Sequence, residues 1–224
     1  MVGTMPLDAP GVIAAAFGCE AAVASIVATK AAYRHYPARS MIAGSEALPQ
    51  QLYIVIAGRA RMLAYAIDGR LVVVEDFKAG ALFGEGALFD SAAASHEVTA
   101  VDPVDAGAFE RHVFLTLMSG YSCIALAVSR LLVARLEATT RRLVEGATLS
   151  AAGRIHAELL RQARSSPDMT IRPAPVLATL ALSVQSTRES VSRAINALQK
   201  RGIIRRDEVA LTVVAPHRLE ELIY

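Results

Sequence analysis

Little in this chain of 224 residues can cross-link it or hold a metal. Its two cysteines, Cys19 and Cys123, stand far apart and make neither a Cys-x-x-Cys pair nor a disulfide framework. A reducing compartment suits them, so the cytoplasm is the expected location. The five histidines (His35, His96, His112, His156 and His217) are scattered, with no His-x-His pair, and no metal site is expected. Charge is also sparse: 20% of residues are charged and 54% apolar, which fills a core easily and excludes a disordered chain. Between Ala9 and Thr29 the only charge is Glu20. That stretch lacks a basic leader and is rich in Ala and Gly rather than Leu, so it reads as a buried or amphipathic helix and no membrane partner is expected.

What charge there is falls unevenly. Residues 1–149 carry 12 basic against 14 acidic groups, whereas residues 150–224 carry 11 against 7. Within 187–206 the balance is 6 to 1, the one acid being Glu189. A positive field concentrated at one end is a phosphate-binding footprint.

The same segment holds the clearest pattern in the chain. Read as a helix, Ser186 to Leu198 places Val191, Ile195 and Leu198 on one face. Arg188, Glu189, Ser192 and Arg193 fall away from that stripe, and Ser186 or Thr187 is placed to cap the first turn. Such a row suits the major groove, because arginine reads guanine through two parallel hydrogen bonds and glutamate accepts from cytosine N4. Before it, Pro175 to Ser183 reads as a short helix with Leu177, Leu180 and Ala181 inward. Val184-Gln185-Ser186 forms a tight corner, with Gln185 where helix-turn-helix units often carry Gly. After it, Gly202 ends the run, and Ile203–Arg206 with Val209–Val214 read as a two-stranded wing carrying Arg205 and Arg206 toward phosphates.

Upstream, Phe17 to Ala32 reads as an opening helix. From Tyr36 to about Phe109 short apolar runs alternate with turns: Leu52–Ile56, Arg61–Ile67, then Leu71–Phe77 after Asp68-Gly69, a hairpin signal, and later Glu97–Val101 and Val104–Phe109. This spacing predicts an antiparallel jelly-roll barrel. Arg111 to Glu145 turns helical, with Ala125, Val128, Leu132, Leu136, Thr139 and Leu143 on one stripe and Tyr121, Ile124 and Leu131 beside it. One helix of about 33 residues, about 50 Å long, outreaches a small barrel and predicts pairing with a second copy of itself. Gly146 to Leu149 interrupts it as a hinge, and Ser150 caps the next helix, Ala151 to Arg164. The expected fold is α+β, with an effector-sensing β-barrel domain over 1–110, a dimerisation helix over 111–146, a hinge over 147–150 and a winged helix-turn-helix domain over 151–224.

In this order, and in the motifs Ser186–Arg193, Ala152-Gly153-Arg154-Ile155 and Phe83-Gly84-Glu85-Gly86-Ala87-Leu88-Phe89, the chain resembles the CRP/FNR family of bacterial transcription regulators. The resemblance implies a homodimeric, sequence-specific DNA-binding regulator that works with RNA polymerase and is not an enzyme. Arg188, Glu189 and Arg193 match positions used on base edges and backbone, and half-sites with a TGA core are expected about one helical turn apart. It also implies an effector site at Gly84, Glu85, Ser95, Arg135, Thr139 and Thr140. The position of the phosphate-clamping arginine holds Ala94, which removes a charge-assisted bidentate contact. The readings left open are a cyclic nucleotide, another small effector, or none. An iron–sulfur sensor would need a cluster of N-terminal cysteines, and this chain has one. The alternative classes are an adaptor whose winged domain binds protein, and a metal-dependent jelly-roll enzyme, which would need the clustered histidines this chain lacks.

Overall fold

The computed structural model describes residues 4–44, 51–65, 71–89 and 96–224. They form two compact units, Met1–Arg135 and Leu136–Tyr224. No single helix among the described residues is long and apolar enough to cross a membrane.

The first unit opens on α1 (Ala9–Phe17) and α2 (Ala21–Ala28), not on one helix over 17–32. Gly18 takes a left-handed conformation (φ 61°) and its N–H caps the Ala14 carbonyl, so the chain turns by 117° there. Eight strands follow: β1 (Ala32–Tyr36), β2 (Met41–Ala43), β3 (Gln51–Ala57), β4 (Ala60–Tyr65), β5 (Leu71–Phe77), β6 (Leu82–Phe83), β7 (His96–Ala100) and β8 (Val104–Glu110), with a 3-10 turn over Glu85–Phe89. They make two antiparallel four-stranded sheets, ordered β1-β8-β3-β6 and β2-β7-β4-β5, a jelly roll whose sheets stay separate instead of closing a barrel. The Asp68-Gly69 turn lies outside the described residues, but its flanking strands pair, with Tyr65 opposite Leu71.

Strand β3 is apolar on both faces because it is covered on both. Val55 joins Phe77, Phe83, Val98 and Val104 between the sheets, while Leu52, Ile54 and Ile56 pack outward against the helices. On that outer side the Phe114 ring meets Phe17 and Phe109, with centroids 6.0 and 5.2 Å away.

The expected single helix over 111–145 is two, α3 (Arg111–Gly120) and α4 (Ser122–Thr148), bent by 112° at an extended Tyr121. The apolar period runs straight through the break, so sequence alone does not mark it. Over its 27 residues α4 still reaches about 40 Å. The expected interruption at Gly146 is also absent: Leu149 N–H bonds to the Glu145 carbonyl, and only Leu149 and Ser150 lie between α4 and the next helix.

The second unit continues with α5 (Ala151–Arg164), β9 (Thr170–Ile171), α6 (Leu177–Ser183), α7 (Arg188–Lys200), β10 (Ile204–Arg206), β11 (Leu211–Val213) and α8 (Pro216–Glu220). Ser150 caps α5 by accepting from Gly153 N–H at 3.0 Å. The wing is a three-stranded sheet, β10-β11-β9, since Thr170–Ile171 adds a strand to the two expected. Ile155, Leu159, Leu180, Val191, Ile195, Leu198, Leu211 and Leu219 share one buried core.

Candidate nucleic-acid interface and sensor site

Recognition geometry in the second unit begins at the corner between α6 and α7. Leu180, Ala181 and Val184 are buried there, and Ser186 N–H returns to the Ala181 carbonyl at 2.9 Å. Gln185 takes the left-handed conformation (φ 52°) that favours glycine. Arg154 of α5 holds that backbone in place: its guanidinium donates to the carbonyls of Val184 (3.1 Å), Leu149 (3.0 Å) and Gln185 (3.3 Å). Sequence reading singled out the segment around Arg154 but not this role.

Thr187 is the N-cap of α7, its Oγ1 accepting from Ser190 N–H at 3.1 Å. With Val191, Ile195 and Leu198 fully buried, Arg188, Glu189 and Arg193 face solvent and Ser192 is half-buried. Arg193, exposed, leans back to donate to Ser190 Oγ at 3.3 Å. Free N–H groups and the helix dipole make this end favourable to anions.

The two wing arginines are placed differently. Arg205 is exposed on β10, opposite Thr212. Arg206 is turned inward and donates to the Pro175 carbonyl at 3.4 Å, so its guanidinium braces the loop before α6. At the wing tip Asp207 accepts from the N–H groups of Ala210 and Val209, both at 2.8 Å; these bonds hold its carboxyl below the ordinary range. Residues 33–121 match the cyclic nucleotide-binding domain family, and residues 153–222 match the Crp-like helix-turn-helix domain family.

The chain belongs to the CRP/FNR family of transcription regulators.

It is 28% identical over 193 residues to the cyclic AMP receptor protein of Thermus thermophilus, covering 85% of this chain and 88% of the relative. A CRP-like cAMP-activated global transcriptional regulator of Mycobacterium tuberculosis is 25% identical over 180 residues, covering 75% and 78%. Among solved structures, a CooA mutant from Carboxydothermus hydrogenoformans superposes with a TM-score of 0.78 at 16% identity, covering 88% and 89% of the two chains. FixK2 from Bradyrhizobium japonicum gives 0.73 at 18%, covering 87% and 98%. These two share the fold. The protein is therefore a DNA-binding transcription regulator, with a cyclic-nucleotide-binding type of domain ahead of its helix-turn-helix.

In the regulator's jelly roll, Gly84 has φ 85°, and a Cβ there would lie 2.7 Å from the Gln51 carbonyl oxygen, so only glycine fits. It turns the chain from β6 into the 3-10 turn, where Glu85 meets Arg135 of α4: Oε1 lies 2.6 Å from Arg135 Nη1. Arg135 Nε lies 2.9 Å from Glu75 Oε2, and Nη2 donates to the Leu82 carbonyl at 2.6 Å. Its guanidinium carbon sits 5.5 Å from the centroid of the Phe77 ring, which stacks on Phe83 and through it on Tyr53. Glu85 and Arg135 were expected in the effector site and stand in contact. Thr139 and Thr140 lie exposed further along α4, in the second unit, while Ser95 and Ala94 lie outside the described residues.

Glu75 was missed. Its signal is in the strand itself, because Glu75 lies two residues before the buried Phe77 and pairs with Met62 as Phe77 pairs with Ala60, a carboxylate in a core-facing register. The two cysteines, far apart in sequence, are neighbours: burial first, then the hydrogen bond to Cys123, push the Cys19 thiol up to about 11.

Proposed function

We propose that the regulator works in the cytoplasm as a homodimer, reading paired half-sites with α7 and answering to a small effector in its jelly roll. Arg188, Glu189, Ser192 and Arg193 meet base edges, Thr187 and Arg205 meet phosphates, and Arg206 supports the wing. Half-sites with a TGA core lie about one helical turn apart. The functional divisions are a sensor over 1–110, a dimerisation helix in α4 (Ser122–Thr148), a link at Leu149 and Ser150, and a reading domain over 151–224. RNA polymerase is the partner once DNA is bound. Of the expected effector residues, Gly84, Glu85 and Arg135 form the site within the jelly-roll unit.

The observation carrying the reading is on α7: a capped helix with its apolar face fully buried and its arginines outward. Dimerisation is supported by α4. Leu126, Ser129, Val133, Leu136, Thr140 and Leu143 recur at spacings of three and four and all are exposed, Leu136 at 67% and Leu143 at 74%. Apolar residues on such a seam pair with an identical seam.

The test is fluorescence anisotropy on a palindrome with TGA half-sites, titrated with salt. Affinity is expected to fall steeply on a log–log plot, as phosphate contacts release counterions. A protein that fails to bind duplex DNA at low salt overturns the reading.

A further inference from the structure

Between Lys78 and Arg111 the chain carries no lysine or arginine, while it carries Glu85, Asp90, Glu97, Asp102, Asp105 and Glu110. The cation that reaches Glu85 comes from outside this stretch, as Arg135 of α4. Its charge is already paired, Nε facing Glu75 and Nη1 facing Glu85 at ion-pair distance, while Nη2 donates to the Leu82 carbonyl and Phe77 lies near the guanidinium. The side chains of this triad are 17% (Arg135), 33% (Glu75) and 23% (Glu85) exposed, so water screens the charges only in part. Glu75, Arg135 and Glu85 together carry one net negative charge. Among the described residues Glu85 Oε2 is buried without a hydrogen-bond partner, an acceptor left over, and Arg135 Nε and Nη1 meet their carboxylates as ion pairs without a hydrogen bond.

We propose that Glu75 is a charge-selecting residue, which occupies Arg135 and closes the site to cyclic nucleotides and other phosphate anions, leaving it to neutral or cationic ligands that offer an N–H or O–H to Glu85 Oε2. Arg135 is the least exposed of the three and is faced by a carboxylate at Nε and another at Nη1, so an anion that pairs with it must displace one of them. A hydroxyl, amide or ammonium instead satisfies the orphan oxygen and disturbs neither ion pair. The proposal rests on the reading of the jelly roll as the sensor.

The test is calorimetric titration of the full-length protein with cyclic AMP, for the wild type, Glu75→Gln and the control Glu75→Asp. The wild type and Glu75→Asp are expected to give no binding heat at sub-millimolar nucleotide. Glu75→Gln, which frees Arg135 while keeping the side-chain volume, is expected to bind at least tenfold more tightly. Wild-type binding below about 100 μM overturns the proposal, as does a folded Glu75→Gln that still ignores the nucleotide. Should Glu75→Gln fail to fold, the same titration of Glu75→Leu decides, with nucleotide binding expected and a folded variant that ignores the nucleotide overturning the proposal. DNA affinity measured on the same samples separates the two readings. Cyclic AMP binding by Glu75→Gln without any change in DNA affinity would count against the sensor reading and leave the charge argument standing.

Discussion

Arg154 Nε donates to the Val184 carbonyl at 3.1 Å, so one side chain of α5 holds the corner on which the recognition helix turns. Removing it leaves the carbonyls of Val184, Leu149 and Gln185 without their charged donor. Hydrogen bonds to charged groups contribute about 1.5–3 kcal/mol. Arg154→Ala is therefore expected to destabilise the second unit by about 2 kcal/mol in urea unfolding and to weaken DNA binding, although Arg154 is not placed to touch a base. A loss within about 0.5 kcal/mol, the range of ordinary surface changes, would show that the corner holds itself.

On α4, Leu136 is 67% exposed at the centre of the apolar seam. Burying a leucine contributes about 1.5–3 kcal/mol, and a symmetric dimer buries it twice. Leu136→Glu should weaken self-association more than 100-fold. Sedimentation velocity at micromolar protein should then give a monomer where the wild type gives a dimer. A variant that remains dimeric places the interface elsewhere.

Arg193 and Arg205 should fail in different ways. Losing a bidentate arginine–guanine pair costs about 1–3 kcal/mol at one position. Arg193→Ala is thus expected to lower affinity for the cognate half-site and to relax discrimination at a single base pair. Arg205→Ala should weaken cognate and random DNA alike and reduce the salt slope by about one unit for each phosphate no longer neutralised. Competition anisotropy against single-base variants separates the two patterns.

Asp168 provides a pH-dependent test in the loop before β9. It accepts from Ser166 Oγ at 2.6 Å, from Arg172 Nη1 at 2.8 Å and from Thr170 N–H at 3.2 Å. The Ser166 bond first, then the Arg172 bond, hold its carboxyl at about 2, down from 3.8. A depressed carboxylate stabilises the fold above its unfolded value and loses that contribution as pH falls through the folded one. Asp168→Asn should therefore lower the melting temperature slightly at neutral pH, with the difference shrinking between about pH 4 and pH 2. A constant difference across that window removes the titration of Asp168 as its cause.

Patterns that repeat over one helical turn or one pleat were legible in the order of residues. Val191, Ile195 and Leu198 marked the buried side of α7, and Thr187 stood where a cap belongs. The β4–β5 hairpin and the jelly roll followed from short apolar runs and the turn residues between them. Gly18 is a plain turn signal as well, and it ends α1 before α2 begins.

What required the folded chain were relationships between distant segments. The sequence determined the kinds of element and the charge they carry, since propensity, capping and hydrophobic period act within a few residues. Tertiary structure decided the 112° turn at Tyr121, the pairing of Arg135 with Glu75 and Glu85, and the meeting of Cys19 with Cys123. These depend on which surfaces bury one another across scores of residues, and neither period nor spacing along the chain encodes that.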